Sequence, residues 1–139
     1  MEIKITCDIW WETRVDDFLE ITNQRKSSIN DFFVEKNYGE KPRKIFIVLM
    51  CRQPYLNFKQ RKRYLKKDNI LYLDIMLDYD KMINSDKPKR NELIAKKLMA
   101  ELYIILEKYR FPKFDLKSFN EDLTKYFVEN EVITLPNTV

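Results

Sequence analysis

The chain has 139 residues, 45% hydrophobic and 14% aromatic, with a formal net charge of +4. That supply suits one domain of common size, residues 1–139, able to bury a core without a metal or disulfide staple. A single glycine, Gly39, and the lack of histidine exclude Gly-rich phosphate loops, dinucleotide fingerprints, nucleophile elbows and Ser-His or Cys-His catalytic pairs.

The first element alternates. Met1, Ile3, Ile5, Cys7 and Ile9 fall on one face of a half-buried strand, and Glu2, Lys4, Thr6 and Asp8 fall on the other. Trp10 and Trp11 follow it and, with Tyr38 and Tyr55, are candidates for a recognition surface. Apolar residues at three- and four-residue spacing predict a helix over 14–37, with Thr13 as N-cap and Asp16 at the capping-box position. Its polar middle, Asn23 to Ser28, is a possible break, and Gly39 is expected to supply a left-handed cap. The run Ile45–Cys51 reads as a strand near the sheet centre, buried on both faces. Residues 52–69 form a long irregular connection, and Ile70–Asp80 is the third strand. The second and third strands are expected to pair as a long hairpin, while the first two are separated by a helix and are expected to be parallel. A second helix opens at Ser85-Asp86-Lys87-Pro88 and is stopped by Pro112, and Asp115 caps a third. Val132–Leu135 is a possible edge strand. The economical architecture is α+β: a small mixed sheet of three or four strands packed against helices, in the order β-α-β-β-α-α.

Cys7 and Cys51 lie in apolar runs and predict buried, reduced thiols. The N-terminal residues lack the basic start and apolar core of a signal peptide, and no apolar run approaches the ~20 residues of a membrane span. A cytoplasmic protein with no membrane segment is expected, and no residue pattern calls for a cofactor.

The charge is unevenly spread. Residues 1–40 carry 9 acids and 5 bases, residues 41–67 carry 10 bases and no acid, and residues 68–139 carry 13 acids and 11 bases. The basic segment 52–67 interleaves cations with aromatic rings. Arg52, Lys59, Arg61, Arg63 and Lys66 are candidate partner-binding cations, and Tyr55 and Tyr64 candidate anchors. That mixture suits an acidic protein surface, where arginine and tyrosine anchor well. It also suits nucleic acid, with cations on phosphates and rings on bases. The plainer alternative is a solvated hairpin whose lysines protect a strand edge.

Asp74, Asp78 and Asp80 share one side of the third strand and raise the question of a magnesium or calcium site. Asp74 and Asp78 would lie about 13 Å apart on an extended strand, too far to share one ion. A solvent-facing strand side, paired with a base from the neighbouring segment, is the favoured reading, and no metal is assigned.

Several stretches carry a family resemblance. They are Arg63-Tyr64-Leu65-Lys66-Lys67-Asp68-Asn69, the strand Ile70 to Tyr79, and Phe114-Asp115-Leu116 with Phe119, Asp122 and Leu123. Together with the order of elements, they resemble the immunity proteins of bacterial polymorphic toxin systems, most nearly the group called immunity protein forty-four. The resemblance implies a cytoplasmic, non-enzymatic protein that neutralises a cognate toxin by binding the C-terminal toxin domain. It carries over no catalytic residue. A nucleic-acid-binding module using 52–67 is the alternative. Many immunity proteins against nucleases are acidic, whereas this chain has a pI near 8.9, so an acidic toxin surface, or contacts from Asp16, Asp17 and Glu20, is expected.

Overall fold

The initial alternation forms β1 (Glu2–Asp8), with Ile3 and Ile5 fully buried. A computed structural model describes residues 1–8, 17–51, 59–130 and 132–133. After β1 come α1 (Phe18–Phe33), β2 (Lys44–Met50), β3 (Lys62–Leu65) and β4 (Ile70–Met76), then α2 (Tyr79–Ile83), α3 (Lys87–Tyr109) and α4 (Leu116–Glu129). The strands form one mixed sheet in the order β1-β2-β4-β3. This is the α+β arrangement the patterning predicts.

β1 and β2 pair in parallel, as expected. The long hairpin does not form: β2 and β4 are also parallel, from Lys44 opposite Ile70 to Met50 opposite Met76. The supposedly irregular connection contains β3, which turns into β4 and is its antiparallel partner. A parallel pair needs a long crossover, and this one is long enough to hold a strand of its own. Asn69 makes the turn with φ 54°, a left-handed conformation that asparagine tolerates. Its side chain accepts from the Tyr64 hydroxyl at 2.6 Å and donates to the Glu40 carbonyl at 2.9 Å.

One sheet face makes the core. Ile3, Ile5, Ile45, Ile47, Leu49, Leu71, Leu73 and Ile75 are fully buried and join one cluster with the inward sides of α1, α3 and α4. β2 is central, as expected, but it is not sealed on both faces: Phe46 and Val48 point the other way and are half-buried.

α1 is shorter than 14–37 and does not break at its polar middle. Thr22 and Ser28 return hydrogen bonds to the Phe18 and Gln24 carbonyls. Arg25 is buried and donates to the Tyr126 hydroxyl of α4 at 3.2 Å. The polar stretch is a packing surface. Thr13 and Asp16 lie outside the described residues. Gly39 is not the helix cap; Val34 takes that place in ordinary helical geometry. Gly39 has φ +148°, and a Cβ there would lie 3.0 Å from the Lys113 carbonyl oxygen and 3.2 Å from the Phe114 Cα. Glycine is needed for this close approach of two backbones.

β4 ends at Met76, before the expected limit at Asp80. Asp78 instead caps α2, accepting from the Lys81 N–H at 3.1 Å. α3 opens within the expected Ser85–Pro88 stretch, capped by Asp86, and Asp115 caps α4 as expected. Arg110 closes α3 in a left-handed conformation ahead of Pro112. The described part of the possible edge strand, Val132 and Ile133, folds back to the Phe127 carbonyl. Cys51 is buried and Cys7 half-buried, with no disulfide between them.

Candidate interaction face

The described part of the basic segment becomes an edge strand, and its alternation divides the candidate residues between two faces. Tyr64 lies opposite Leu71, a core-face residue of β4. Its ring packs 4.8 Å from Phe111 and 6.4 Å from Tyr109, centroid to centroid. Its N–H donates to the Tyr109 hydroxyl at 3.2 Å. Tyr64 therefore fastens β3 to the end of α3 rather than standing out as an anchor. Lys62 shares that side. It pairs with Glu101 at 2.8 Å, and Lys97 approaches the same carboxylate at 3.3 Å. Burial would raise the Glu101 carboxyl, but the hydrogen bonds from Lys62 and Lys97 outweigh it and hold the pKa below its ordinary value.

Arg61 and Arg63 belong to the opposite side. Arg63 is exposed and lies opposite Tyr72. Arg61 is held twice by Asp74. Its N–H donates to Oδ2 at 2.8 Å, and its guanidinium lies 3.7 Å from Oδ1. The same guanidinium sits over the Tyr72 ring, 4.5 Å from its centroid. Asp74 is thus buried and paired with a base, not solvent-facing. Asp78 and Asp80 belong to the start of α2. Among the described residues, no group of three or more Cys, Asp or Glu side chains is placed to hold a metal ion.

Lys59 precedes β3 and Lys66 follows it, both exposed. Arg52 and Tyr55 lie outside the described residues, as do Trp10 and Trp11. Tyr38 is buried instead of contributing to a surface, and its hydroxyl donates to Asp122 at 2.5 Å. Burial first, then this bond, raise its pKa. Asp17 and Glu20 are engaged by Arg90 and Lys87.

The sheet register adds residues that lie far apart in the sequence. Lys4 lies beside Phe46, Phe46 beside Tyr72, and Tyr72 beside Arg63, so one row crosses all four strands. The Phe46 and Tyr72 centroids are 5.8 Å apart. Lys4 Nζ lies 5.5 Å and Lys44 Nζ 6.0 Å from the Phe46 centroid. Glu2 is on the same face, 3.5 Å from Lys44. Cations near aromatic faces are mutually stabilising, and these hold the two rings between basic groups. The alternation of β1 already put Lys4 on this side, but cross-strand neighbours appear only once the strands are paired.

The fold is that of a small α+β protein whose second sheet face carries exposed cations. Comparison with known families then gives its membership. The model of the family described as Immunity protein 44 matches residues 1–129, and the chain belongs to that family. No curated protein and no solved structure matches it. Among the described residues, no helix is long and apolar enough to cross a membrane.

Proposed function

We propose that this protein neutralises a cognate toxin of a bacterial polymorphic toxin system by binding the C-terminal toxin domain directly in the cytoplasm, with no chemistry of its own. The observation that carries the reading is the family match over residues 1–129, which takes in every described helix and strand. Immunity families are generally non-enzymatic. The exposed cations Lys59, Arg63 and Lys66 support a binding role, and Arg61, Arg52 and Tyr55 belong to the same proposed interface. Tyr64 serves it by holding β3 in place.

The test is calorimetric titration of the purified protein with the purified C-terminal domain of the large protein encoded beside it. A stoichiometric complex with a nanomolar or lower dissociation constant is expected, a range familiar for tight inhibitor pairs. If no complex forms at micromolar concentrations, the reading is wrong.

A further inference from the structure

The sheet face opposite the core has a specific organisation, and it suits one kind of partner. Its central row runs Lys4, Phe46, Tyr72, Arg63 across the four strands. With strands spaced about 4.8 Å apart, such a row spans roughly 14 Å. Lys4 and Arg63 stand exposed at its two ends, and Phe46 and Tyr72 are half-buried between them. No described carboxylate lies within ion-pair distance of Lys4 or Arg63. Two other cations beside the rings are already matched, Lys44 by Glu2 and Arg61 by Asp74. The face therefore offers an aromatic centre flanked by two exposed cations that no described carboxylate pairs.

We infer that this sheet face is where the toxin docks, through a surface that sets apolar side chains on Phe46 and Tyr72 and carboxylates on Lys4 and Arg63. This rests on the immunity reading and adds to it the docking face and the charge of the partner. It moves the interface from the basic segment alone to a surface shared by all four strands. Arg61 and Arg63 are the residues common to both.

Nucleic acid is the competing occupant, because aromatic rings on a sheet can stack bases. One observation disfavours it. The Tyr72 ring is covered by the Arg61 guanidinium at 4.5 Å, and ammonium groups from Lys4 and Lys44 lie near Phe46. A stacked base needs the whole ring face and would have to displace them, whereas the smaller apolar side chains of a protein partner can pack beside them while its carboxylates pair with the exposed Lys4 and Arg63. Cations at the rim of an interface act mainly on the association rate and its salt dependence, while central rings set the lifetime of the complex.

The experiment measures binding kinetics of the purified toxin domain to the full chain and to three variants. Lys4→Glu with Arg63→Glu reverses both ends of the row. Phe46→Ala with Tyr72→Ala removes the apolar centre. Lys117→Glu with Lys125→Glu makes the same charge change on α4. Melting temperatures within about 3 °C of wild type show that folding is kept, and the charge reversal, confined to exposed side chains, keeps the test valid if the ring variant fails to fold. The expected result is an approximately 100-fold loss of affinity for the charge reversal, mostly in association rate at low salt, with the α4 variant within about threefold of wild type.

If wild type binds and the charge-reversed face binds equally well, the docking face is wrong while the immunity reading stands. If wild type does not bind the toxin domain, both fall. If wild type binds single-stranded RNA with steep salt dependence and the charge reversal abolishes it, the face is a nucleic-acid surface and the proposal is overturned.

Discussion

Removing one hydroxyl group, Tyr126→Phe, should cost more stability than removing the buried charge beside it, Arg25→Met. Both side chains are buried where α1 meets α4. The Tyr126 hydroxyl accepts from Arg25 Nη1 at 3.2 Å and also bonds Ser28. Arg25 Nε already lacks a hydrogen-bond partner, so the guanidinium has little to fall back on. A hydrogen bond to a charged group contributes about 1.5–3 kcal/mol. Ser28 keeps its bond to the Gln24 carbonyl at 3.1 Å and adds little to the loss. Tyr126→Phe should therefore cost about 2 kcal/mol, lowering the melting temperature by roughly 4–8 °C at this chain length. Arg25→Met removes the charge itself and keeps a stem that packs near the ring. Replacing a buried charge with an apolar group of similar volume is often close to neutral, so a cost below about 1 kcal/mol is expected. Urea unfolding followed by circular dichroism gives both values by linear extrapolation. A Tyr126→Phe variant within about 0.5 kcal/mol of wild type, or an Arg25→Met variant costing more than it, would refute the reasoning.

Other outcomes follow from single contacts. Gly39→Ala sets a Cβ against the Lys113 carbonyl oxygen at a φ of +148°. A loss of about 2–3 kcal/mol in urea unfolding is expected from strain and overlap together, and an unchanged midpoint would show that the approach is looser. Glu101 has a lowered folded pKa, so the stability it contributes is complete above its ordinary value of 4.5 and is lost as pH falls through the folded value. Glu101→Gln should accordingly flatten the decline of stability below that pH, and an unchanged acid limb would remove Glu101 from the account. Burial pushes the Cys51 thiol up to about 11. It should resist aromatic disulfide reagents at pH 8 until the protein unfolds, and rapid labelling of Cys51 in the native protein would contradict that burial.

The legible parts of the fold were those in which one strand or helix states its own pattern. Ile3 and Ile5 mark a core face by alternation, and Asp86 and Asp115 mark helix starts by chemistry. β3 was illegible because Lys62-Arg63-Tyr64-Leu65 has neither alternation nor β-branched residues; it is a strand only because β4 offers it an edge. Without β3 in the connection, β2 and β4 look like a hairpin rather than a parallel pair. Strand period alone places Asp74 on the side away from Leu73 and the core, and its burial depends on Arg61 arriving from another strand. Gly39 was legible as a special position, but its reason lies with Lys113 and Phe114, far along the chain. The candidate face followed the same rule. Arg61 and Arg63 were visible as charge density, whereas Lys4, Phe46 and Tyr72 became a row only through the register of strands distant in sequence.

Neutralisation by binding is tested most directly by growth. The toxin domain is placed under an inducible promoter in a bacterial host, with this protein supplied from a second plasmid as wild type or as Lys4→Glu with Arg63→Glu. Wild type should restore growth to the level of a host carrying no toxin, and the charge-reversed protein, expressed at an equal level, should fail to do so. Growth arrest that persists in the presence of the wild-type protein would contradict the account.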